Sequence, residues 1–135
     1  MKKYALDANA LLDFLDGGPG AQRVRAILHE AQQQRSVALI SVINWGEVFY
    51  LLWQKRGEEK ARQTVAALSR LPIEIVHVDL AQAMKAGELN AVHKIPYVDC
   101  IAAALATLHQ ATLVTSDRDF EKLGRQFPVL WITRP

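Results

Sequence analysis

At 135 residues, half of them hydrophobic, the chain is long enough to bury a core in one domain, residues 1–135, without disulfides or a structural metal. A charged fraction of 22% excludes a disordered chain, and the lone cysteine, Cys100, excludes an intrachain disulfide and suits a reducing cytoplasm. No apolar stretch approaches the ~20 residues of a membrane span, and the net charge of +2 is compatible with nucleic acid without pointing to it.

Tyr4–Leu6 is a short apolar run and predicts a first strand buried on both faces. Asp7 follows it directly, and Ala10–Leu15 predicts a short helix closed by the breaker cluster Gly17-Gly18-Pro19. Ala21–Gln34 places Val24, Ile27, Leu28 and Ala31 on one helical face. Val37–Ile40 reads as a second buried strand. Ser41 and Asn44 are cap candidates for a long helix that ends near Arg56, before Gly57. Glu58–Leu71 predicts a further helix, stopped by Pro72. Ile73–Val78 is β-branched and predicts the third strand, and Asp79 with Gln82 forms a capping-box start for a helix reaching about Val92. After Pro96, Val98–Leu108 is alanine-rich and apolar, the pattern of a deeply buried helix. Thr112–Thr115 predicts a fourth strand, Asp119–Arg125 a short helix and Val129–Ile132 a fifth strand. Strands separated by helices along the whole chain predict an α/β fold. The expected architecture is a three-layer α/β/α sandwich around a mostly parallel, roughly five-stranded sheet.

The acidic residues carry the functional signal. Each has an ordinary structural explanation: Asp7 as a strand-end turn, Glu47 as the partner of a cap at Asn44, Asp99 as a helix cap, Asp117 and Asp119 as first-turn residues. Their joint placement is more specific. Asp7 and Asp117 fall at the carboxyl ends of predicted strands, and Glu47 and Asp99 on the first turns of helices. In a parallel sheet these points share one edge, the edge where ligands bind. Several carboxylates brought together repel one another, and a cation among them relieves that repulsion. Oxygen-only ligands favour Mg²⁺ or Mn²⁺, which activate water and stabilise phosphoryl transition states.

These residues resemble a known family. Asp7-Ala8-Asn9 after the first strand, the helical Glu47, Tyr97-Val98-Asp99 opening an alanine-rich helix, and Thr115-Ser116-Asp117-Arg118-Asp119-Phe120 after the fourth strand look like a PIN-domain nuclease. The chain is most similar to VapC-type toxins of toxin–antitoxin pairs. The resemblance implies a Mg²⁺- or Mn²⁺-dependent endoribonuclease, cytoplasmic, with an RNA substrate such as tRNA, a cognate antitoxin and a homodimeric state. It implies catalysis and metal binding by Asp7, Glu47, Asp99 and Asp117, with Asp119 an additional metal-binding acid and Asn9, Thr115 and Ser116 in support. The chain departs from the family at Ala8, where Thr or Ser is common, and at Ser116, where Asn or Thr is common.

Cations are expected to flank such a pocket. Arg118, Lys122 and Arg125 recur at helical spacing beside Asp117, and Lys94 precedes Asp99, so these four are candidate RNA contacts or a solvated face. Trp45, Phe49 and Trp53 form an aromatic stripe suited to core packing or to a partner. Three other readings remain open. A receiver-like phosphoacceptor domain fits Asp79 and Thr115 loosely, without its acidic pair or terminal lysine. A haloacid-dehalogenase-type phosphatase needs a second Asp where Asn9 stands. A PIN fold that binds RNA or protein without cutting differs only in activity.

Overall fold

In the computed structural model, which describes residues 1–133, the elements follow the expected alternation. They are β1 (Lys2–Leu6), α1 (Ala8–Asp16), α2 (Ala21–Gln32), β2 (Ser36–Ser41), α3 (Val42–Arg56), α4 (Glu58–Leu68), β3 (Ile73–Val76), α5 (Leu80–His93), α6 (Tyr97–Leu108), β4 (Thr112–Thr115) and β5 (Val129–Trp131), with a 3₁₀ helix at Arg118–Leu123 before β5.

All five strands are parallel, in the order β3-β2-β1-β4-β5. That order differs from the 2-1-3-4-5 order of the flavodoxin-like class to which receivers belong, so the receiver reading fails on topology. β1 lies at the centre: Tyr4 pairs with Ala38 of β2 on one side and with Thr112 of β4 on the other. Its side chains alternate between two cores, as a strand covered on both faces requires. Tyr4 and Leu6 join Leu11, Val24, Ile27, Ile40, Val48 and Val114 under α1–α4. Ala5 faces the other way, against α6 and its buried, alanine-rich run from Cys100 to Ala106. The alanine-rich composition of α6 thereby has a packing reason: small side chains let the helix lie close over the middle of the sheet.

Local chemistry explains the helix ends. Gly17 closes α1 in the left-handed region at φ 64, and its N–H reaches the carbonyls of Asp13 and Phe14. Ser41 caps α3, its Oγ accepting from the Ile43 N–H at 3.2 Å, so α3 starts before Asn44 and Asn44 lies inside it. Asp79 caps α5 through the Gln82 N–H at 2.9 Å. The reciprocal half of the expected capping box is absent, because the buried Gln82 side chain turns to the Ile101 carbonyl of α6 at 3.2 Å.

No single helix among the described residues is long and apolar enough to cross a membrane.

Candidate functional site

The parallel arrangement brings the ends of β1, β2 and β4 to one edge, with the start of α6 beside them. Asp7 follows β1 and is the N-cap of α1: its Oδ1 accepts from the Ala10 N–H at 2.8 Å, and its Oδ2 accepts from the Thr115 hydroxyl at the end of β4. Thr115 Oγ1 in turn accepts from the Asp117 N–H at 2.9 Å, so one buried hydroxyl holds the Asp7 carboxylate and the backbone of Asp117. Asp117 Oδ1 accepts from the Asp119 N–H at 2.9 Å and starts the 3₁₀ helix.

Glu47 lies in the second turn of α3, half-buried. It is oriented by Asn44, whose Nδ2 donates to Glu47 Oε1 at 3.3 Å and also to the Val98 carbonyl at 3.2 Å. Asn44 is 1% exposed, and its Oδ1 has no hydrogen-bond partner. This residue ties α3, which carries Glu47, to the first turn of α6, which carries Asp99. Sequence alone reads it as a cap; Ser41, already better placed to cap, is the one local signal that frees Asn44 for another role.

Oxygens of Asp99, Asp117 and Asp119 all lie within 4.8 Å of one another. Asp7 and Glu47 stand outside that triplet yet remain electrostatically joined to it. Burial pushes the Asp7 carboxyl up to about 7, its two accepted hydrogen bonds oppose this, and the charges of Asp99 and Asp117 add to the rise. Asp99 is raised to about 6 by burial, then by Asp117, Glu47 and Asp119. Glu47 is raised by burial and by Asp117, against the Asn44 hydrogen bond. Five carboxylates thus share one edge of the sheet, with Asp99, Asp117 and Asp119 nearest one another. The donor set is oxygen only, hard and anionic, and fits a divalent cation of the Mg²⁺ or Mn²⁺ kind.

The remaining candidates are placed unevenly. Asn9 is exposed on the first turn of α1, and Ser116 is half-buried between Thr115 and Asp117. Arg118, Lys122 and Arg125 do not share one α-helical face. The segment is 3₁₀, whose tighter turn changes the spacing, and it ends at Leu123, with Gly124 at φ 89 before Arg125. Lys94 is exposed and ends α5 in the left-handed region at φ 58. Cys100 is buried with its thiol pushed up to about 11, by burial first and then by Asp99, which makes it a core residue and a poor nucleophile. In the aromatic stripe, Phe49 and Trp53 meet edge-to-face at 5.7 Å, and the Arg62 guanidinium of α4 lies over both rings. Much of the stripe therefore serves the α3–α4 contact. The larger apolar exposure is on α5, at Leu80, Met84 and Val92.

Residues 4–126 match the sequence profile of the PIN domain. The chain belongs to the PIN-domain family. No curated protein sequence gives a significant match. Among solved structures, the chain is similar to VapBC2 from Rickettsia felis bound to a DNA fragment from its promoter, with TM-score 0.76, 20% identity, and 95% of this chain and 97% of that one covered. It is similar to VapBC-1 from nontypeable Haemophilus influenzae with TM-score 0.73, 17% identity, and 98% and 99% covered. It also resembles Mycobacterium tuberculosis VapC20, a sarcin-ricin loop cleaving toxin, with TM-score 0.72, 19% identity, and 91% and 95% covered. At these identities the likeness is one of fold, and the PIN α/β/α sandwich accounts for the three layers described above.

Proposed function

We propose that this PIN domain is a divalent-metal-dependent endoribonuclease and the toxin of a toxin–antitoxin pair. The observation that carries the reading is the convergence of Asp7, Glu47, Asp99, Asp117 and Asp119 on one sheet edge, where each raised carboxyl is raised in part by its neighbours. A structural ion-pair network would interleave cations with these acids, and no lysine or arginine forms a salt bridge with any of the five among the described residues.

Asp99, Asp117 and Asp119 are the residues to hold Mg²⁺ or Mn²⁺, with Asp7 and Glu47 completing the anionic wall. A bound ion supplies Lewis-acid activation of water and neutralises charge on the scissile phosphate. The protein's own part is positional. Asp7 is held from two sides by Ala10 and Thr115, so its carboxylate cannot swing away. Asn44 engages Glu47 Oε1, which leaves Oε2 free to accept the proton of the attacking water. The raised proton affinity of Glu47 suits that task. The water oxygen bonds to phosphorus, the bond from phosphorus to the leaving sugar oxygen breaks, and that oxygen takes up a proton from solvent.

Exposed Lys94, Lys122 and Arg125 are available to the RNA backbone around this pocket. The substrate is an RNA, such as tRNA or a loop of the kind that VapC20, a sarcin-ricin loop cleaving toxin, acts on. Solved relatives in the form of VapBC complexes support a cognate antitoxin, and the exposed Leu80, Met84 and Val92 of α5 support pairing with a second copy of the chain. We place the protein in the cytoplasm, where its RNA targets are.

The test is cleavage of total cellular RNA by the purified chain with Mg²⁺ or Mn²⁺. Cleavage should stop with chelator and in Asp7→Asn. Wild-type rates in that variant, or in chelator, would refute the reading.

A further inference from the structure

A cleft of about 580 Å³ lies between the start of α2 and the end of β5, lined by Pro19, Gln22, Arg23, Trp131, Ile132 and Thr133. The two elements meet closely there: a Cβ on Gly20 would come within 2.6 Å of Ile132 Cδ1. The cleft is next door to the acids. Trp131 pairs with Thr115 across the β4–β5 ladder, the Ile132 N–H donates to the Thr115 carbonyl at 3.1 Å, and the Thr115 hydroxyl holds Asp7. One strand spacing, about 4.8 Å, therefore separates the strand that fixes Asp7 from the strand that forms the cleft wall.

The charge of the cleft is opposite to that of the acid pocket. Among the described residues that line it Arg23 is the charged side chain, and the Asp13 carboxylate nearby accepts from the Gly20 N–H. Two arginines converge on the same three-residue segment: Arg23 Nη1 donates to the Trp131 carbonyl at 3.2 Å, and Arg118 Nη2 donates to the Thr133 carbonyl at 2.8 Å. Arg118 stands between Asp117 and Asp119 in sequence, yet its guanidinium turns away and stacks on the Trp131 ring, 4.3 Å from the centroid. Neither arginine forms a salt bridge among the described residues. Each spends one bond on a backbone carbonyl and makes no other hydrogen bond among the described residues, of the five N–H donors it carries. Planar guanidinium groups with spare donors are suited to phosphate oxygens.

We propose that this cleft docks a backbone phosphate of the RNA strand, one that flanks the scissile phosphate held at the acids. The proposal rests on the ribonuclease reading and adds to it a phosphate contact by Arg23, the charged side chain among the residues that line the cleft. An RNA strand crossing five carboxylates meets repulsion there, and Arg23, beside the strand next to β4, holds it in place without neutralising the acids themselves.

The experiment measures binding of a fluorescein-labelled single-stranded RNA of about 20 nucleotides by fluorescence anisotropy, with Mg²⁺, in an Asp7→Asn background that keeps the RNA intact. Arg23→Gln is compared with Arg35→Gln, which removes the same charge just before β2, at the opposite edge of the sheet. Arg23→Gln is expected to weaken binding about three- to tenfold and to flatten the dependence of log Kd on log salt by about 0.7, the share of one single-strand phosphate. Mn²⁺ affinity, measured by calorimetry in the otherwise wild-type chain, should not change with Arg23→Gln, and Arg35→Gln should leave RNA affinity unaltered. Unchanged affinity and slope in Arg23→Gln, or equal losses in the two variants, would overturn the cleft. Failure of the ribonuclease reading shows separately, as a wild-type chain that cuts no RNA with metal present, and a wild-type chain that binds no RNA overturns both.

Discussion

Asp7→Asn should make the metal-free protein more stable at neutral pH while removing its activity. Burial holds the Asp7 carboxyl at about 7 in the folded chain, against 3.8 as its ordinary value. The folded state therefore binds its proton more tightly than the unfolded state, and stability falls as pH rises from about 4 to about 7. At about 1.4 kcal/mol for each tenfold change in proton affinity, the full difference is about 4 kcal/mol. Relaxation of the pocket and entry of water reduce this to about 2 kcal/mol. Asn keeps both contacts: its Oδ1 accepts from the Ala10 N–H in the same capping geometry, and its Nδ2 donates to Thr115 Oγ1. The assay is thermal unfolding in chelator from pH 4 to 8. The variant should match wild type near pH 4 and exceed it by about 8 °C at pH 7.5, since 1 kcal/mol moves the midpoint of a domain this size by about 4 °C. Saturating Mn²⁺ should then raise the wild type more than the variant, which keeps Asp99, Asp117 and Asp119 but lacks one charge of the wall. A variant no more stable than wild type at pH 7.5, or one whose advantage does not grow between pH 4 and 7, would refute the account of Asp7 as a buried, repelled carboxyl.

Thr115→Val keeps the shape of the buried side chain but removes the hydroxyl that donates to Asp7 and accepts from the Asp117 N–H. It should cost about 1–3 kcal/mol in urea unfolding, and RNA cleavage should fall by about tenfold or more. Because the hydroxyl lowers the proton affinity of Asp7, Mn²⁺ binding should also require a higher pH, which calorimetry across pH 6 to 8 reads directly. Asn44→Ala removes the donor shared by Glu47 and the Val98 carbonyl. A loss of about 2 kcal/mol in urea unfolding is expected, together with weaker Mn²⁺ binding, as α3 and α6 lose their link beside the acids. Unchanged Mn²⁺ affinity in a folded Asn44→Ala chain would refute that positioning role.

The sequence by itself determined the local elements and the edge on which the acids gather. Apolar runs of three to six residues, breakers at Gly17, Gly57 and Pro72, and caps at Ser41 and Asp79 are short-range signals, and they account for the alternation of strands and helices. Once the strands are parallel, Asp7 after β1, Glu47 on α3, Asp99 on α6 and Asp117 after β4 arrive at one edge without further information. Contacts between elements distant in the chain were decided only by tertiary packing. Asn44 and Gln82 look like cap partners until α6 is in place, and then the carbonyls of Val98 and Ile101 take their side chains, because a buried amide without a partner is costly. The segment from Arg118 to Leu123 has helical spacing but winds as 3₁₀, stopped by Gly124, while Arg118 is drawn to Trp131 and Thr133. The proton affinity of Asp7 belongs to the same class. Nothing in Leu6-Asp7-Ala8 announces a carboxyl near 7, since that value comes from the apolar layers on both faces of β1 and from acids more than ninety residues away.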